Sequence, residues 1–112
     1  YSASAQIGRN AVPGLWLLGV NQRLMERQRP GVFGTDMSAC NAYARSLDSL
    51  AAIAVPVLVI AGGQDRMTPP KASKAIAAAI PGARLTVIPG SGHALMAEAP
   101  DAVLDSLRDF FA

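Results

Sequence analysis

The sequence predicts an α/β fold, with two parallel strands and two helices in βαβα order behind a helical N-terminal segment. Three features carry that expectation. Residues 55–61 form an apolar, β-branched run without alternation, the pattern of a strand covered on both faces. Residues 84–88, Arg-Leu-Thr-Val-Ile, read as the next strand, and a helical stretch at 71–80 lies between the two. Residues 101–111 place Val103, Leu104, Leu107, Phe110 and Phe111 at i, i+1, i+4, i+7 and i+8, which is one stripe of a helix. A strand, helix, strand order takes a right-handed crossover, so both strands run the same way.

Local signals place the elements in turn. Over residues 13–29, Leu15, Leu17, Leu18, Leu24 and Met25 alternate at helical spacing with Gln22, Arg23, Glu26 and Arg27, and Pro30 ends the run. Thr35 or Asp36 is placed to cap a second helix towards Tyr43, because a side-chain oxygen there can accept from a free N–H of the first turn. Residues 48–53 suit a short helix. The first strand, 55–61, leads into a loop of Gly62, Gly63, Gln64 and Asp65. Thr68 is placed as the cap of the next helix, with Pro69 at its first position, where a missing N–H costs nothing. Pro81 and Gly82 stop that helix. The second strand, 84–88, runs into Pro89, Gly90, Ser91 and Gly92, and Glu98 stands ahead of Pro100, where a carboxylate complements the dipole of the last helix.

Composition narrows the class. With 112 residues, 51% of them hydrophobic and 16% charged, the chain accommodates one globular domain at most and is too apolar to stay disordered. The longest uncharged apolar stretch, 50–61, contains Pro56 and falls short of the ~20 residues of a spanning helix, so no membrane span is expected. Ten Lys and Arg against eight Asp and Glu give a net charge of +2 without a basic cluster, which argues against a nucleic-acid partner. The single cysteine, Cys40, has no partner for an internal disulfide. The chain begins at Tyr1 rather than Met and is expected to be part of a longer protein.

Two residues stand where chemistry is expected. Loops that follow parallel strands leave the sheet at the same edge. Asp65 and His93 sit in two such loops, and neighbouring strands are ~5 Å apart, so a carboxylate and an imidazole at their ends come within hydrogen-bonding reach. A carboxylate that accepts from Nδ1–H fixes the tautomer of His93, leaves Nε2 as the base and stabilises the imidazolium. Gly90 and Gly92 allow the sharp exit this loop needs.

The stretches Gly62-Gly-Gln-Asp65-Arg-Met-Thr-Pro69 and Gly90-Ser-Gly-His93-Ala-Leu-Met-Ala-Glu98-Ala-Pro100 resemble the C-terminal part of the α/β-hydrolase fold. In that family a Gly-x-x-Asp strand end supplies the triad acid and a Gly-His loop supplies the triad base. The resemblance implies that Asp65 is the acid and His93 the base. It also implies that residues 47–112 form the C-terminal part of the hydrolase core, and that residues 1–46 form a cap or lid segment with its connecting helix. Leu95, Met96 and Trp16 are then candidates to line an apolar substrate site. The implied partner is a small, ester-like substrate, and the implied chemistry needs neither metal nor cofactor.

One part of the family pattern is missing. Its members carry a Gly-x-Ser-x-Gly nucleophile elbow ahead of the acid and the histidine. No serine of this chain has that setting; Ser91, for instance, has Pro89 and His93 at the glycine positions. The nucleophile, the oxyanion hole and the earlier strands are therefore expected upstream of Tyr1, in a missing N-terminal half, and the 112 residues alone are expected to be inactive. A serine nucleophile would imply esterase, lipase or C–C hydrolase chemistry. An aspartate would imply epoxide hydrolase or dehalogenase chemistry, and a chain that has lost catalysis would act as a binding or assembly module. A dinucleotide site is excluded because Leu95 stands where the third glycine of the fingerprint belongs. One His with one Cys does not make a metal site of ordinary spacing.

Overall fold

The computed structural model describes residues 16–44 and 49–112. Helix α1 spans Leu17–Glu26 and α2 spans Val32–Ala42. In α1 the Gln22 amide donates to the Glu26 carboxylate across one turn at 3.0 Å, and Leu17 is buried. Residues 13–15 of the predicted first helix lie outside the described residues. The second helix starts earlier than Thr35 or Asp36. Gly31 adopts a left-handed conformation (φ 87°) directly after Pro30, which turns the chain so that Val32 opens the helix and Thr35 N–H makes its first bond to the Gly31 carbonyl at 2.9 Å. Of the short helix expected at 48–53, residue 48 is outside the described set. Ser49 and Leu50 are helical, and the segment closes with Ala52 and Ile53 bonding three residues back.

Strands β1 (Leu58–Gly62) and β2 (Arg84–Ile88) pair in parallel, in register from Leu58 opposite Arg84 to Gly62 opposite Ile88. The first strand is shorter at its start than the apolar run predicts, because Pro56 has no N–H to give a ladder and Val55 is exposed. It is also not buried on both faces. Leu58, Val59 and Ile60 are half-buried and only Ala61 and Gly62 are buried, since β2 is the one strand paired with it among the described residues.

Helix α3 (Pro70–Ala79) makes the crossover between the strands and packs on both. Its start corrects the capping expectation: Pro69 takes the cap position and Pro70 the first helical one, with no side-chain cap, and the Thr68 hydroxyl bonds Asp65 instead. Gly82 (φ 70°) turns the chain from α3 into β2. After β2 comes a four-residue helix that the sequence pattern did not show, α4 (Leu95–Glu98), and then α5 (Pro100–Phe111), which also packs on both strands. The apolar stripe of α5 is covered only in part: Val103 is buried and Phe110 half-buried, while Leu104, Leu107 and Phe111 are exposed. Arg84 of β2 ties the end of α5 down, stacking on the Phe110 ring at 5.9 Å and donating to the Asp109 carbonyl at 3.3 Å. No helix among the described residues is long and apolar enough to cross a membrane.

Candidate active site

The site is built where β1 and β2 end. Two backbone bonds zip their exit loops together: Gly63 N–H donates to the Ile88 carbonyl at 2.9 Å, and Gln64 N–H to the Ser91 carbonyl at 2.8 Å. Gly62 lets the loops close. A Cβ at that position would lie 2.6 Å from the Ser91 carbonyl oxygen and nearer still to that of Gly92. Gly90, with φ 77°, makes the sharp exit from β2.

Asp65 follows directly, its own N–H bonded to the Gly62 carbonyl at 3.1 Å. Its side chain is 4% exposed and both oxygens are occupied. Oδ1 accepts from the backbone N–H groups of Met67 (2.8 Å) and Thr68 (2.9 Å). Oδ2 accepts from the Thr68 hydroxyl (2.7 Å) and faces His93 Nδ1 at 2.9 Å. Burial pushes this carboxyl up, but the hydrogen bonds from His93, the Thr68 hydroxyl and the two backbone N–H groups outweigh it and hold Asp65 below the usual aspartate value. An ionised carboxylate only accepts, so the assigned tautomer of His93 has its proton on Nδ1 and its lone pair on Nε2. The Thr68 oxygen is 3.3 Å from the same Nδ1 and braces the pair. The His93 side chain is 39% exposed, so a buried carboxylate holds an imidazole that stays open to solvent.

Both site residues read from the sequence are thus brought together. The other three are not part of this cluster. Met96 (74% exposed) and the half-buried Leu95 lie on α4, just past His93, while Trp16 is 68% exposed and lays its ring over Gly19 of α1. A groove of about 260 Å³ between α1 and α2 is lined by Leu24, Met25, Gln28, Val32, Phe33 and Asp36, and includes none of the three. Two residues have a different place from the one the sequence pattern gave them. Thr68 is a brace of the acid rather than a helix cap, and its signal was the spacing of three residues from Asp65, which suits a side-chain-to-backbone turn. Glu98 does not simply face the dipole of α5. It is 5% exposed and both its oxygens lie 3.0 Å from the N–H of Gly92, the residue before His93.

Comparison with known proteins bears on the family and the fold. A Mycobacterium tuberculosis protein provisionally named non-heme bromoperoxidase BpoC is 38% identical over 73 residues, which is 65% of this chain and 28% of the relative. The chain therefore spans little more than a quarter of that protein. Among solved structures, a thermophilic esterase from Thermogutta terrifontis superposes with a TM-score of 0.58 and 36% identity, covering 59% of this chain and 24% of the esterase. The α/β hydrolase MGS-MChE2, from a lagoon-sediment metagenome, covers 88% of this chain and 45% of its own with a TM-score of 0.68; at 24% identity it speaks to the fold alone. The model described as "Alpha/beta hydrolase family" matches residues 3–106, from ahead of α1 through both site loops and into α5. On that extent, this chain belongs to the alpha/beta hydrolase family.

Proposed function

We propose that Asp65 and His93 are the acid and base of a Ser-His-Asp triad in an ester hydrolase whose reacting groups are all protein side chains. The observation that carries this reading is the 2.9 Å contact between Asp65 Oδ2 and His93 Nδ1 at the common exit of two parallel strands. In this reading His93 Nε2 takes the proton of the serine hydroxyl as its oxygen attacks the ester carbonyl. The imidazolium, held against the Asp65 carboxylate, then protonates the leaving alcohol. Water enters next and gives a proton to His93 as its oxygen attacks the acyl carbon, and His93 returns that proton to the serine oxygen as the acid leaves. The serine comes from outside these 112 residues, because in this family's order the nucleophile precedes the acid and none of the serines here has the elbow setting. The esterase among the similar structures supports a serine over an aspartate at that position. Leu95 and Met96, directly past His93, and the exposed ring of Trp16 are proposed to line the acyl side of the substrate.

The test is hydrolysis of p-nitrophenyl acetate by the full-length protein that carries these residues. His93→Ala is expected to lower kcat by several orders of magnitude while leaving the melting temperature close to the parent's. Near-parental turnover in that variant would remove His93 from the reaction, and a parent with no hydrolase activity would favour a binding module.

A further inference from the structure

We propose that Glu98 is a positioning residue for His93, acting through the backbone N–H of Gly92; the inference rests on the reading of His93 as the base. A carboxylate is costly to bury without donors. Glu98 is buried, and both its oxygens lie 3.0 Å from the N–H of Gly92, the residue joined to His93. A hydrogen bond from an N–H to a charged acceptor is among the stronger ones a loop can use.

The geometry gives this contact a direct route to the imidazole. Helix α4 is one tight turn, with Ala97 and Glu98 N–H bonded to the Ala94 carbonyl at 2.8 and 3.0 Å and Ala99 N–H to that of Leu95 at 2.9 Å. That turn brings residue 98 back to residue 92, so the segment carrying His93 is closed on itself. Gly92 is held on its other side as well, its carbonyl lying against the Cα of Gly62, where a Cβ would collide with it. Gly62 also accepts the N–H of Asp65. The acid and the base are therefore both referred to Gly62, and Glu98 is the strut that holds Gly92 by its N–H while its carbonyl rests there. Without the strut, one peptide unit separates an unsatisfied N–H from the Cα of His93, and the 2.9 Å contact to Asp65 loses its support.

The test uses the full-length protein below the melting temperature of each variant, with His93→Ala as reference. Three quantities are read: kcat and KM for p-nitrophenyl acetate, the melting temperature, and the deshielded proton resonance of His93 Nδ1–H. Glu98→Ala is expected to lower kcat on the order of 10²-fold with KM little changed, the scale of a small misplacement of a reacting group, and to lose or shift the resonance. Glu98→Gln, which keeps the shape and one acceptor for Gly92 N–H, is expected to restore kcat in part. A folded Glu98→Ala protein with parental kcat and an unmoved resonance, whatever its melting temperature, would overturn the positioning role. So would a Gln variant as impaired as the Ala variant. Should Glu98→Ala not fold, Glu98→Gln carries the test: a severalfold lower kcat with a shifted resonance supports the role, and parental values of both overturn it. Active His93→Ala protein would instead overturn the reading of His93 itself.

Discussion

At the scale of single residues, the carboxyl of Asp65 controls the site. It accepts from Met67, Thr68 and His93, and these bonds outweigh its burial and hold it below the ordinary aspartate value of 3.8. A group depressed in the folded state stabilises the fold above its unfolded value and loses that contribution as pH falls through the folded one. In the full-length protein Asp65→Asn is therefore expected to be destabilised at neutral pH, and its deficit relative to the parent should shrink as pH falls below 3.8, read from denaturant midpoints across the acid range. In the full-length protein the same variant is expected to lose about 10⁴-fold in kcat, since a neutral amide neither fixes the Nδ1–H tautomer nor stabilises the imidazolium. That Asp65 and His93 come together was legible in the sequence, because each lies in a loop after one of two parallel strands and such loops leave the sheet at the same edge. The place of Glu98 was not legible. It depends on the α4 turn between Ala94 and Ala99, for which residues 94–98 carry no cap, no proline and no periodic stripe long enough to read.

At the scale of elements, the two strand exits act as one unit. The strand order and the parallel pairing were readable from β-branched runs spaced by a helical stretch, whereas the ends of the elements were decided by contacts that the runs do not encode. Pro56 withholds an N–H and shortens β1, Gly31 opens α2 through a left-handed turn, and Asp65 draws the Thr68 hydroxyl away from α3. The close approach at Gly62 is of this kind too, and its consequence is specific. In Gly62→Ala the methyl group meets the backbone carbonyls of Ser91 and Gly92, which have no flexible end to swing aside. The His93 loop must move off β1, straining the bond from Gln64 N–H to the Ser91 carbonyl. The variant is expected to cost about 1–3 kcal/mol of stability, the usual scale of overpacking. In the full-length protein kcat should fall by more than the loss of folded protein accounts for, measured by comparing active-site titration with thermal melts. A drop in kcat fully explained by unfolded protein would show that the loops move together without parting the acid from the base.

At the scale of the whole molecule, the described residues leave much of their apolar side uncovered. Leu104, Leu107 and Phe111 of α5 are exposed, as are Val55 before β1, Ile76 on α3 and Val87 on β2. Each strand has a single neighbour among the described residues, so one backbone edge of β1 and one of β2 are open to pairing. A two-stranded sheet is marginal by itself, even with helices on it, and an amphipathic helix gains its stability from the face it buries. These 112 residues produced alone are therefore expected to self-associate and to show no hydrolysis of p-nitrophenyl acetate. Size exclusion should give oligomers or aggregate, and a hydrophobic dye should bind more strongly than it does to the full-length protein. Replacing Leu104 and Leu107 together with Lys is expected to shift the elution towards monomer, because it removes two apolar side chains from the open stripe without touching the buried Val103. If the unaltered chain instead elutes as a monodisperse monomer and unfolds in a single cooperative transition, Ala61, Ile80, Ile88 and Val103 suffice as a core, and the exposed stripe of α5 needs no cover.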